Sequence, residues 1–234
     1  YYAINRPVIL TGEMDDWPAL KLWSPDYLKA KIGAAVIQFQ GERTSNARFE
    51  MDKDAHRREA PFTDFIDRIQ TPGAGNETYL TAYNSATNEK ALASLSADVG
   101  PLDKFLDPAG APGMPWIGPA GTLTSLHHDL TNNLIAQVVG RKRVKLLPAA
   151  EAGKLYNHRH VFSEVPDLDA ADLDLARYPL LRRARIYDVV LAPGEILFVP
   201  VAWWHQVRAL DFSVTLTFTN FRWRNDMARD FPPG

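Results

Sequence analysis

The sequence predicts a mainly β fold, a two-sheet jelly roll or barrel capped by N-terminal helices, and three observations carry that expectation. From Trp116 onward, short apolar stretches recur with turn residues between them, the pattern of a sandwich or barrel. In the last stretch Leu216, Phe218 and Asn220 share one face while Thr215, Thr217 and Thr219 share the other, as an extended chain dictates. Helical signals fall in the first half, where Phe62, Phe65, Ile66 and Ile69 stand at i, i+3, i+4 and i+7. At 234 residues one sizeable core is expected. The expected organisation is a single domain over 1–234, with a helix-containing part at 1–115 and a β core at 116–223.

Taken in order, Arg6-Pro7-Val8-Ile9-Leu10 is an edge strand that starts at its proline and is ended by Thr11-Gly12. Ser24 caps a helix with Pro25 in its first turn and Gly33 at its end. Ala35 to Gln40 alternates like a strand, and Glu42 to Glu59 is polar, without a period, and expected as a loop. Thr71-Pro72-Gly73 stops the Phe62–Ile69 helix. Thr78 to Tyr83 is expected as a strand and Asn88 to Ser96 as a helix. Further strands are expected at Asn133 to Val139, Arg143 to Leu147, Asp188 to Leu191, Ile196 to Val199, Trp203 to Val207 and Phe212 to Phe221. An Asp-rich, charged stretch, Glu164 to Arg185, interrupts this series.

Composition excludes several functions. With 26 basic and 28 acidic residues, no global field recruits nucleic acid or membrane. The absence of cysteine removes disulfides, thiolate nucleophiles and Cys-ligated zinc. No apolar run approaches the ~20 residues of a membrane span. No secretory signal is visible, so a cytoplasmic location is expected and the sequon Asn76-Glu77-Thr78 reads as accidental.

The chemistry is concentrated in Thr124-Ser125-Leu126-His127-His128-Asp129 and Trp203-Trp204-His205. In an extended segment His127 and Asp129 point to one side, and His205 completes two imidazoles and one carboxylate. Such a set leaves coordination positions open, as in non-haem Fe(II) oxygenases. His128 points the other way and is excluded as a ligand. Arg141, Arg143 and Lys145 share one strand face, while Lys142 lies with Val144 and Leu146 on the other. A lone cation on an apolar face suggests the barrel interior.

In order along the chain, Thr124-x-x-His127-x-Asp129, Asn133, Gly140-Arg141-Lys142, Pro193-Gly194-Glu195, Pro200-x-x-Trp203-Trp204-His205 and Asn220-Phe221 resemble the JmjC/cupin-like 2-oxoglutarate oxygenases. The branch containing the factor-inhibiting asparaginyl hydroxylase is the most similar, and its opening strand and helix resemble Arg6–Leu10 and Trp23–Leu28. The resemblance implies a double-stranded β-helix that binds Fe(II) through His127, Asp129 and His205. It implies that Lys142 meets the distal carboxylate of 2-oxoglutarate, with Thr124 and Tyr79 hydrogen-bonded to the same group. Asn133 and Asn220 match asparagines near the metal and the cosubstrate.

The implied activity is hydroxylation of a side chain in a protein or peptide, with oxidative decarboxylation of 2-oxoglutarate to succinate and CO2. A tRNA base or a small molecule is the alternative substrate within the family. Asparaginyl specificity is not implied, because Val161-Phe162 stand where that hydroxylase presents an arginine and a glutamine to its target. A cupin that binds metal or a small ligand without oxidising anything is the competing class. Loss of the cation or of the Thr/Asn set would mark it, whereas this chain retains Lys142, Thr124, Asn133 and Asn220.

Overall fold

The computed structural model describes residues 1–82, 85–110 and 112–230. The N-terminal part forms as local chemistry dictates. After the short helix α1 (Ala19–Leu22), helix α2 (Pro25–Ile32) starts where the Ser24 hydroxyl accepts the Tyr27 N–H, and it ends at Gly33. Helix α3 (Phe62–Gln70) buries Phe62, Phe65, Ile66 and Ile69, the stripe read from their spacing.

Three expectations change in this region. Strand β2 (Val36–Gln40) pairs with β3 (Arg57–Pro61), so the polar segment expected as a loop ends in a strand. The apolar residues of this two-stranded ribbon, Ile37 and Phe39, sit on β2, so Arg57, Arg58 and Glu59 of β3 leave no apolar period to read. The strand expected from Thr78 shrinks to isolated bridges, Gln40 to Tyr79 and Leu80 to Ile117, and Tyr83 lies outside the described residues. The helix expected at Asn88–Ser96 is instead α4 (Ser85–Leu92) followed by a 3-10 segment, Ala93–Asp98.

The remaining strands are β1 (Val8–Leu10), β4 (Met114–Gly118), β5 (Leu123–His128), β6 (Asn133–Val139), β7 (Lys142–Leu147), β8 (Asn157–Arg159), β9 (Phe162–Ser163), β10 (Tyr187–Leu191), β11 (Ile196–Val199), β12 (Trp204–Ala209) and β13 (Ser213–Phe218). They form a five-stranded sheet, β1-β11-β6-β13-β4, and a six-stranded sheet, β10-β7-β12-β5-β9-β8. Every pairing is antiparallel. From β4 to β7 and again from β10 to β13 the chain alternates between the sheets, which fits a jelly roll.

Each sheet face is covered. Ile135, Leu197 and Val199 meet Val144, Leu146 and Val207 between the sheets. Leu134, Ala136, Val138, Leu216 and Phe218 turn outward to the N-terminal helices, where Trp17, Phe62 and Phe65 lie. The Asp-rich stretch covers the outer face of the six-stranded sheet by inserting Val165, Tyr178 and Leu181 against Leu126, Leu147 and Trp204. Its acids pair outward-facing bases: Asp167 with Arg208, and Asp169 with Arg143 and Lys145. Among the described residues no helix is long and apolar enough to cross a membrane.

Candidate metal centre and its cavity

Strand register brings the three candidate ligands together. In the β5–β12 pair His205 lies directly opposite His127, and Trp204 opposite His128. The two imidazole rings stand 4.2 Å apart between centroids. Asp129, just beyond β5, brings its carboxylate oxygens to 3.7 Å from His127 Nε2 and 3.8 Å from His205 Nε2. The ligand atoms of His127, Asp129 and His205 all lie within 4.8 Å of one another. His128 turns away and packs against the Trp204 ring, as expected.

Backbone carbonyls select the tautomer of both rings. His127 Nδ1 is 2.7 Å from Ser125 O and His205 Nδ1 is 3.1 Å from Trp203 O. A carbonyl only accepts, so each Nδ1 carries the proton and each Nε2 turns a lone pair toward the common centre. Asn133 Nδ2 donates to Asp129 Oδ2 at 3.1 Å and holds the carboxylate's orientation. Burial, with His205 adding to it, keeps His127 below the ordinary imidazole value. Burial works against ionised Asp129, but the two imidazoles and the Asn133 amide hold it below the usual carboxylate value.

A β-bulge explains how Thr124 joins this set. Strict alternation would turn Thr124 away from His127. The pairing slips between His205 and Val207: His205 faces His127, whereas Val207 faces Thr124. One extra residue in β5 resets the parity, so both side chains enter one cavity. That cavity, about 200 Å³, runs between the sheets and is lined by Tyr79, Thr124, His127, Asp129, Asn133, Lys142 and His205. Trp116, Ile135, Val161 and Val207 supply apolar wall, and Thr215 and Thr217 of β13 and Thr219 just past it line the cavity as well.

Lys142 occupies the closed end of this cavity. Gly140, at φ +68°, makes the turn that leads into β7, and a Cβ there would sit 2.1 Å from Phe212 O. Lys142 is 3 % exposed. Its Nζ donates to Tyr79 Oη at 3.0 Å, and Thr124 lines the same cavity. Among the described residues no carboxylate pairs with this ammonium. Burial alone pulls its pKa down to about 7 and raises that of the Tyr79 phenol. A buried cation is costly unless it is paired, so the chemistry of this end of the cavity suits an anion.

Asn220 is not brought to this cavity, a correction to the sequence expectation. Strand β13 ends at Phe218, and alternation leaves Asn220 on the face of Leu216 and Phe218. Its amide donates to Asp107 O at 3.0 Å, and it lines a separate apolar space beside the N-terminal segments. Trp203 and Trp204 pack in the cores on either side of the six-stranded sheet. The sequence reading missed Arg43, Glu50 and Asn76 behind Tyr79. The sequon Asn76-Glu77-Thr78 hides an amide whose oxygen accepts the Leu123 N–H, and only side-chain contacts reveal it.

The family model for a cupin-like domain matches residues 1–227. Lysine-specific demethylase 8 of Xenopus tropicalis is 30 % identical over 224 residues, covering 93 % of this chain and 48 % of that protein. Lysine-specific demethylase JMJ30 of Arabidopsis thaliana is 30 % identical over 238 residues, 97 % of this chain and 52 % of its own length. HSPB1-associated protein 1 of Homo sapiens is 29 % identical over 226 residues, 89 % of this chain and 46 % of that protein. The chain thus spans about half the length of the curated relatives it matches.

Proposed function

The chain belongs to the cupin-like domain family, of the JmjC and cupin-like oxygenase group, and we propose that it is an Fe(II)- and 2-oxoglutarate-dependent oxygenase that hydroxylates a side chain of a protein or peptide. We read residues 1–234 as one domain, with 1–115 packed on a double-stranded β-helix at 116–223. The alternation of strands between two sheets supports that reading. The observation that carries the function is the pairing, in one cavity, of an open two-imidazole, one-carboxylate set with a buried ammonium that lacks a counter-charge.

The donors suit the two groups. His127 and His205 present neutral nitrogens and Asp129 an anionic oxygen, the donor set of the Fe(II) facial triad. Along β7 and β12, Lys142 stands opposite Ala209 while Leu146 stands opposite His205. Four residues of strand, about 13 Å, therefore separate cation from imidazole at the backbone. A five-carbon dianion spans what remains once the side chains extend inward.

Fe(II) with 2-oxoglutarate and O2 supplies the oxidising power: the keto acid loses CO2 and becomes succinate as one oxygen atom enters a substrate C–H bond. The protein orients and excludes. Lys142, Tyr79 and Thr124 hold the distal carboxylate, and Asn133 fixes the Asp129 rotamer. Trp116, Ile135 and Val207 keep water from the closed end. Val161 lines the cavity, and Phe162 stacks on His127 at 5.7 Å. The names of the relatives support a protein substrate, since demethylation itself begins with hydroxylation of an N-methyl carbon.

Mass spectrometry of candidate peptides tests this, with succinate release as the control. A gain of one oxygen, or loss of a methyl group, on a peptide is the expected result. Oxygen gain only on tRNA or a small molecule would replace the substrate class, and no succinate under any condition would remove the activity. Cosubstrate binding also carries a pH signature. The Lys142 ammonium has its pKa near 7 in the empty cavity, and a bound dianion raises it. Binding therefore takes up a proton, and the Kd for 2-oxoglutarate should rise about 5-fold from pH 7 to pH 8. Calorimetry in buffers of different ionisation enthalpy reads that proton directly. A Kd flat across this interval would show that Lys142 is not the cation.

A further inference from the structure

The start of β5 has an open side. Strand β12 flanks it on one side, whereas β9 reaches it only at His127. At Leu123 two side chains replace the missing strand. Asn76 Oδ1 accepts the Leu123 N–H at 2.9 Å, and the Arg43 guanidinium donates to the Leu123 carbonyl at 2.8 Å. Arg43 also donates to Asn76 Oδ1 at 2.7 Å and to Glu50 Oε1 at 2.8 Å, closing the unit. Arg43 has no exposed surface. Its guanidinium carbon lies 5.1 Å from the centre of the Tyr79 ring and 4.2 Å from that of Phe49.

Tyr79 belongs to no strand of either sheet; a single bridge to Gln40 holds its backbone. Its ring is therefore placed by packing. Trp116 lies 5.8 Å away between centroids, a Cβ on Gly118 would come within 2.6 Å of Tyr79 Cδ2, and Arg43 flanks the ring. Leu123 immediately precedes Thr124. The Arg43 unit thus touches the Tyr79 ring and the residue next to Thr124 at the Lys142 end; among the described residues its hydrogen bonds to the side chains of Asn76 and Glu50 and to Leu123 involve no metal-ligand candidate, and Glu50 reaches His127 only as a nearby charge.

We propose that Arg43, with Asn76 and Glu50, is a positioning residue for the 2-oxoglutarate end of the cavity: it sets the Tyr79 ring and the Thr124 end of β5 without supplying a ligand to the metal centre. This rests on Lys142, Tyr79 and Thr124 being the 2-oxoglutarate subsite. A guanidinium suits the task because its planar fork serves a carbonyl, an amide oxygen and a carboxylate at once while packing against aromatic rings. A lysine at position 43 offers a point charge that does not reproduce the fork.

Removing Arg43 alone would strand the Glu50 carboxylate and risks unfolding. The test is therefore the double variant Arg43→Met/Glu50→Leu, which removes both buried charges, together with Arg43→Lys and Asn76→Ala. Calorimetry of Mn(II)-loaded protein titrated with 2-oxoglutarate, and of apoprotein titrated with Mn(II), reads the two ends of the cavity separately. The double variant should weaken 2-oxoglutarate by about 10-fold or more with Mn(II) affinity within about 2-fold of wild type, a loss of the size seen for supporting residues behind ligands. Arg43→Lys should fall between wild type and the double variant, and Asn76→Ala should show the same selective loss. Wild-type 2-oxoglutarate affinity in the double variant or in Asn76→Ala, or parallel loss of both affinities, would overturn the inference. If the double variant does not fold, Asn76→Ala decides alone. Wild-type protein that binds Mn(II) but not 2-oxoglutarate, or an unaltered affinity in Lys142→Met, would instead remove the subsite on which the inference stands.

Discussion

Lys142→Met should weaken 2-oxoglutarate binding by at least about 100-fold and at the same time make the protein more stable. The ammonium is buried, its one hydrogen bond among the described residues runs to Tyr79 Oη, and burial takes its pKa down to about 7. In the unfolded chain a lysine titrates near ~10.4. Between these two values the unfolded state binds more protons, so Lys142 lowers stability increasingly as pH falls from 10 toward 7. The penalty at pH 7 is about 4 kcal/mol, an order-of-magnitude figure for a group buried in an empty cavity. A methionine fills similar volume without the charge, and a gain of about 1–3 kcal/mol, a few degrees in Tm, is expected. Opposite the dianion the same change removes the sole buried cation of the cavity among the described residues. Breaking such a pair costs about 3–5 kcal/mol, or roughly 10²–10⁴-fold in Kd. Thermal melts and 2-oxoglutarate titrations on one preparation check both halves. A lower Tm with unchanged affinity would show that Lys142 is a structural residue.

Asp129→Ala should remove metal binding while sparing the fold. The carboxylate contributes the only anionic donor of the cluster and, among the described residues, takes one side-chain hydrogen bond, from Asn133. It lies beyond the end of β5, with Ala202 N–H donating to its backbone carbonyl, and alanine retains that bond. Fe(II) or Mn(II) affinity should fall by at least ~10³-fold, well beyond the 10–100-fold typical of supporting residues. Turnover should vanish with it. Calorimetry with Mn(II) and a circular-dichroism melt separate this from unfolding. Metal affinity within a few-fold of wild type would mean that the ion, if bound at all, sits elsewhere.

Much of the frame was legible because burial imposes periodicity. The α3 stripe and the alternation of Lys142, Val144 and Leu146 can be read directly, since one face of each element meets a core. The segment from Thr124 to Asp129 was legible only in part. Alternation places His127 with Asp129, but no residue type in Ser125-Leu126 signals the bulge that turns Thr124 inward as well. Strand β3 left no trace because its charged residues meet solvent, and Asn220 was misplaced because a motif match outweighed the parity of β13. Arg43, Glu50 and Asn76 were illegible for another reason: their partners lie up to 80 positions away, and polar residues in an aperiodic segment look like any loop.

In the proposed site one cavity holds Fe(II) through His127, Asp129 and His205 and 2-oxoglutarate through Lys142. Anaerobic addition of 2-oxoglutarate to Fe(II)-loaded protein reads both halves at once, because chelation of ferrous iron by a keto acid produces a weak visible charge-transfer band. That band is expected in the wild-type protein, lost in Asp129→Ala, and regained in Lys142→Met only at far higher 2-oxoglutarate. Saturating iron and cosubstrate without the band, or an undiminished band in Asp129→Ala, would contradict this placement of the two groups.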